Sequence, residues 1–140
     1  QFIAIFPLTF AVINPLHEAI HGLGFWLFGA RHLHWNGSWR KLSIQVQADG
    51  FVTPAHELLF IRLLPVLVIT PLLSGVAALL PGYRLLLLGL LTFHTSTSLN
   101  DLAMVNYLYQ KRTLHLLAVD DASSGTTTFY HPIEQKRTRK

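Results

Sequence analysis

Three apolar segments, roughly residues 2–29, 58–80 and 83–108, dominate this chain of 140 residues. Each is long enough to cross a bilayer core of about 30 Å, which takes about 20 residues of helix. Only 13% of the residues are charged and the mean hydropathy is +0.39, whereas a soluble domain carries about 25% charged residues. The pattern predicts a mainly α membrane protein with about three transmembrane helices. Its length fits one integral membrane domain over residues 1–130, followed by a basic tail over 131–140. Cysteine is absent, so any metal must be held by histidine and carboxylate rather than thiolate.

The formal charge is +4, but its distribution argues against nucleic acid. Three crossings put the 30–57 connection and the C-terminus on one side of the membrane. Arg31, Arg40, Lys41, Arg62, Lys111, Arg112, Lys136, Arg137, Arg139 and Lys140 fall on or near that side, and Arg84 alone marks the other. Excess lysine and arginine mark cytoplasmic loops. The connection and tail are therefore expected in the cytoplasm of a multi-pass protein, with the Gln135–Lys140 run solvated or facing lipid.

Inside the first apolar segment stands His17-Glu18-Ala19-Ile20-His21. Residues four apart on a helix share a face, about 6 Å apart along the axis, so both imidazoles can reach one tetrahedral zinc. Glu18 is placed to take a proton from a water beside the metal while staying out of the ligand set. From this chain's own histidine and glutamate frequencies, HExxH arises by chance in about one case in a hundred. The motif also argues against reading the first segment as a secretory signal peptide.

A third ligand is expected in the third segment, which turns polar at His94-Thr95-Ser96-Thr97-Ser98-Leu99-Asn100-Asp101. Such a run is costly in lipid unless it faces protein, water or metal. The first and third segments run in the same direction. His21 and Asp101 both lie about 12–15 Å below the same interface at 1.5 Å per residue. Equal depth lets two helices share one ion, and two histidines with a carboxylate and an open position make the catalytic form of a zinc site. His94, Thr97 or Ser98, and Asp101 recur on one face. His94, about 10 Å above Asp101, is a candidate substrate or oxyanion contact, and Asn100 a candidate for orienting Asp101. His32, His34, His56, His115 and His131 are expected at the surface.

Between the segments the period changes. Leu42, Ile44 and Val46 alternate with Ser43, Gln45 and Gln47, the period of a strand. Asn36-Gly37 before them and Asp49-Gly50 after them are hairpin-turn signals. A small antiparallel sheet is expected within 31–54 on the cytoplasmic face, either as a connector or as an edge that pairs with an extended substrate. Residues 113–119 and 126–130 are expected to be strands around the turn Asp120–Gly125. Asn14-Pro15 predicts a kink or a new helix start, Pro65 and Pro71 a bend in the second segment, and Gly22, Gly24 and Gly29 close helix packing.

These residues resemble the site-2-protease type of intramembrane zinc metalloprotease, and look closest to the small prokaryotic putative zincin peptidase family. The stretches concerned are His17 to Gly29 (HEAIHGLGFWLFG), the proline-bearing RLLPVLVITP, Ser98-Leu99-Asn100-Asp101-Leu102, and Val119-Asp120 with the glycine-containing turn after it. Site-2 proteases commonly carry their ligand aspartate in a Leu-Asp-Gly context; here it stands in Asn100-Asp101-Leu102. The resemblance implies one zinc ion on His17, His21 and Asp101, with Glu18 as the catalytic base. It also implies hydrolysis of peptide bonds in membrane-embedded or membrane-adjacent substrates, in a prokaryotic cell membrane. The alternative is a non-catalytic adaptor or pseudoprotease that binds a partner transmembrane helix, although such a site has no need of Glu18. A metal carrier would show ligands spaced along a path, and only one compact set is present.

Overall fold

A computed structural model describes residues 5, 7–38 and 43–132. The chain is mostly helical with two small antiparallel sheets. A π-helical stretch, Thr9–Ile13, runs without a break into helix α1, Asn14–Leu27. The Asn14 N–H bonds back to the Thr9 carbonyl, five residues away. This wider turn carries the helix past Pro15, which has no N–H to give, so Asn14-Pro15 starts a new α-helical register on one continuous rod. The helix stops at Gly29, whose φ of +104° closes a paired cap. Gly29 N–H bonds to Trp26 O and Ala30 N–H to Phe25 O, at 3.1 and 3.0 Å.

Two strands follow, β1 (His34–Ser38) and β2 (Ser43–Gln47), paired antiparallel with Trp35 opposite Val46. Asn36-Gly37 lies within β1 and is no turn, because both residues pair with Gln45 and Ile44. The connection between the strands, and Leu42 of the expected alternation, lie outside the described residues. Asp49-Gly50 does turn the chain, with Gly50 at a φ of +65°. It leads into a different sheet rather than closing a hairpin. Strand β3 (Val52–Pro54) pairs with β4 (Leu117–Asp121), which pairs with β5 (Thr126–Tyr130). A bridge between Asp49 and Asp120 links the two sheets. In the β4–β5 turn, the Asp121 carboxylate accepts from Ser123 and Ser124, which holds its pKa down at about 2.

Helix α2, Ala55–Leu79, begins directly at β3 and is continuous across Pro65 and Pro71. Its 25 residues span about 37 Å. Among the described residues it is the one helix long and apolar enough to cross a membrane. The segment expected as a third span forms two helices instead, α3 (Arg84–Thr97) and α4 (Leu99–Gln110). They break at Ser98, where the His94 carbonyl receives the Thr97 hydroxyl, the Ser98 hydroxyl and the Ser98 N–H. Hydroxyls bonding back into the preceding turn compete with the helical ladder there. Of the expected basic tail, residues 133–140 lie outside the described residues.

Two apolar clusters hold the elements together. One joins Phe25, Leu58, Ile61 and Leu108 to Ala118 of β4; the other joins Ile13, Ile69, Leu73 and Leu90. Along the continuous rod of the π-helical stretch and α1, the clusters are anchored by Ile13 and Phe25, and His17 and His21 fall between them. A polar layer is thus sandwiched between two apolar ones. Gly24 allows this packing, since a Cβ there would stand 3.0 Å from Leu64 and 3.2 Å from Ile61.

Candidate metal centre

His17 and His21 project from one face of α1, as their spacing requires, and Asp101 meets them from the first turn of α4. All three are buried. Asp101 Oδ2 lies 2.9 Å from His17 Nε2 and 3.2 Å from His21 Nε2, and the two Nε2 atoms are 3.1 Å apart. These three atoms make a nearly equilateral triangle. A tetrahedral zinc with bonds of about 2.0–2.1 Å has ligand–ligand edges of about 3.3 Å, so the triangle has the size of one face of that tetrahedron. The donor set of two imidazoles and one carboxylate suits zinc as well.

Contacts on the outer side of the site orient these side chains. His21 Nδ1 is 3.0 Å from the carbonyl oxygen of Ile61 on α2. A carbonyl can only accept, so Nδ1 carries the proton and Nε2 presents a lone pair to the centre of the triangle. That carbonyl is open because Pro65, four residues on, has no N–H to return to it. The other oxygen of Asp101, Oδ1, accepts from Arg62 Nη1 at 3.2 Å. Arg62, counted in sequence among the cations near the interface, is therefore engaged inside the site. It makes the contact with Asp101 expected of Asn100, which is exposed and lines the cavity instead.

Glu18, half-buried, faces the same cavity and accepts the Val46 N–H of β2 at 2.8 Å. Val46 N–H thus points away from β1, and alternation along the strand puts the Ile44 N–H on that same open edge. The cavity, of about 330 Å³, is bounded by His17, Glu18, Asp101 and Arg62 on one side and by Ile44 and Val46 of β2 on the other. His94 is fully buried and packs edge-on against His17, with ring centroids 5.4 Å apart. The Pro65 carbonyl lies beside it, but neither ring nitrogen of His94 meets hydrogen-bond geometry. His32, His34, His56, His115 and His131 are exposed.

Orphaned polar atoms single out the same place. Among the described residues, the buried side-chain nitrogens and oxygens without a hydrogen-bond partner belong to Asn14, His17, Arg62 and His94. The first three line the cavity and the fourth packs on His17. Buried polar groups are ordinarily paired, so a cluster of unpaired ones marks a site shaped for polar ligands. Arg62, Asn14, the Ile61 carbonyl and the Val46 N–H are not among the site groups expected from sequence. An arginine within an apolar run was a legible signal for the first; backbone groups leave none.

No curated protein and no solved structure gives a match to the chain. One family does, over residues 10–115, under the description "Putative zincin peptidase". The matched region holds His17, Glu18, His21, Arg62, His94 and Asp101, and covers well over half of the 140 residues. The chain belongs to the putative zincin peptidase family.

Proposed function

We propose that this protein is an intramembrane zinc metalloprotease that hydrolyses peptide bonds of membrane-embedded or membrane-adjacent substrates. The observation that carries the reading is the triangle of His17 Nε2, His21 Nε2 and Asp101 Oδ2, buried and opening on a cavity that Glu18 also lines. Family membership suggests the same chemistry. Zinc bound there supplies a Lewis acid for the scissile carbonyl and a water acidified towards neutral pH. Glu18 takes the proton from the attacking water and later delivers it to the leaving amine. One carboxylate oxygen of Glu18 is held by Val46, which leaves the other for that exchange.

Substrate presentation falls to β2. A transmembrane helix hides its carbonyls in its own hydrogen bonds, so its backbone must be drawn out before attack. With the Val46 N–H held by Glu18, the Ile44 N–H on the open edge offers a main-chain partner along the cavity and can hold a substrate extended beside Glu18. His94, fully buried and outside the cavity wall, is placed to hold the His17 ring rather than to meet the scissile carbonyl.

The membrane setting rests on exposed apolar surface. Only 17% of the apolar window of α2 is buried, whereas the core helix of a soluble domain would be mostly covered. Leu16, Leu23 and Trp26 of α1, Leu67 and Leu72 of α2, and Leu85 of α3 are also 41–62% exposed. An apolar surface of this extent suits lipid. We place the sheets and the C-terminus on the cytoplasmic side, because Arg31, Lys111 and Arg112 lie at the sheet end and Arg84 at the other.

The test compares membrane proteomes of cells carrying the wild-type and Glu18→Gln proteins. A full-length membrane precursor that accumulates only in the variant supports proteolysis. Identical proteomes with normal function of the variant overturn it in favour of a non-catalytic adaptor.

A further inference from the structure

The Asp101 carboxylate is divided between two tasks. Oδ2 faces the two ligand nitrogens, and Oδ1 accepts from Arg62 Nη1 at 3.2 Å. Asp101 is buried and Arg62 half-buried on the cavity wall, with side chains 9% and 21% exposed. An arginine within an apolar helix is costly, and two imidazoles already face this carboxylate. The position of Arg62 therefore calls for a reason specific to Oδ1.

A carboxylate can bind a metal through one oxygen or through both. With both oxygens engaged, Asp101 would fill the position that a catalytic zinc site must keep open. We propose that Arg62 is a positioning residue that holds Oδ1 away from the metal, so that Asp101 remains a one-oxygen ligand and the fourth position stays free for water. The inference rests on the zinc reading given above. Among the described residues, Arg62 is the one lysine or arginine paired with Asp101. Its Nε has no partner, so Asp101 is the acceptor that fixes the guanidinium. Consecutive residues of α2 then act on two ligands: the Ile61 carbonyl aims His21, and Arg62 aims Asp101.

Cobalt(II) reports coordination number without any turnover, since four-coordinate cobalt absorbs visible light several-fold more strongly than five-coordinate cobalt. Purified wild-type protein, Arg62→Met, Arg62→Ala and Arg62→Lys are loaded with cobalt and their spectra and cobalt affinities compared. The wild type is expected to give the intense four-coordinate band. In Arg62→Met and Arg62→Ala that band should weaken several-fold while cobalt binds at least as tightly, and kcat should fall with little change in KM. Arg62→Lys, which keeps a positive charge on the Oδ1 side with a shorter side chain, should recover the wild-type band in part. A folded Met or Ala variant with the wild-type spectrum overturns the proposal. Zinc-edge X-ray absorption of the wild type tests it without any variant: a carboxylate bound through both oxygens overturns it. A wild type that takes up neither metal overturns the zinc reading itself, an outcome distinct from an unchanged spectrum in the variants.

Discussion

His21 Nδ1 donates to the Ile61 carbonyl at 3.0 Å, across the contact between α1 and α2. The bond exists because Pro65 breaks the hydrogen-bond ladder of α2 at that carbonyl. A residue that would be a defect in an isolated helix thereby supplies the acceptor that fixes the tautomer of His21.

Pro65→Ala tests this relationship. The new N–H would compete with His21 for the Ile61 oxygen. Helix α2 should become more regular while metal affinity falls about 10–100-fold, the usual effect of losing a partner behind a metal ligand. Competition with a chromophoric chelator measures the affinity; an unchanged value contradicts the assigned role of Pro65.

Gly24 sets the distance between the same two helices. Gly24→Leu would drive a side chain into Leu64 and Ile61, which already stand 3.0 and 3.2 Å from where a Cβ would be. Overpacking of this kind costs about 1–3 kcal/mol. Thermal unfolding in detergent should show a lowered midpoint, and metal affinity should fall with it, because Ile61 carries the His21 acceptor.

Glu18→Gln should retain the metal and lose proteolysis by about 10²–10⁴-fold, the range for removing a general base. The amide can still accept from Val46 N–H, so β2 should keep its place. Cleavage of a purified membrane substrate, measured alongside metal content, separates the two effects. Loss of metal in this variant would make Glu18 a ligand rather than a base.

Presentation on the strand edge predicts a different pattern. Ile44→Pro removes the N–H expected on the open side of β2 and leaves the metal ligands untouched. Cleavage of an extended substrate should drop with zinc content unchanged. Full activity in this variant would remove β2 from substrate handling.

His94→Phe keeps a ring of similar size against His17 but removes both nitrogens. Because His94 is fully buried and outside the cavity wall, the expected result is a nearly unchanged kcat with metal binding retained. A fall of about 10²–10³ in kcat, the usual cost of losing a donor to the developing oxyanion, would instead make His94 a substrate contact.

The sequence was most legible where chemistry requires fixed spacing. His17, Glu18 and His21 follow from helical geometry, and equal depth brought in Asp101, 80 residues away from His21. The strand alternation around Ile44 and Val46 was legible because its period is two. Asn36-Gly37 misled because a turn-forming pair can also sit within a strand once cross-strand pairing is available. The break at Ser98 was hidden in a polar run that reads as one helix face, since hydroxyls that bond backwards leave no periodic mark. Arg62 looked like an interfacial cation because linear position does not reveal which helix lies opposite. Local signals encode the elements, while contacts between distant elements emerge only on packing.

Metal content of purified protein tests the central claim most directly. Elemental analysis should find one zinc per chain in the wild type and in Glu18→Gln, and none in His21→Ala. A wild-type protein without stoichiometric metal, or a His21→Ala protein that retains it, would contradict the site described above.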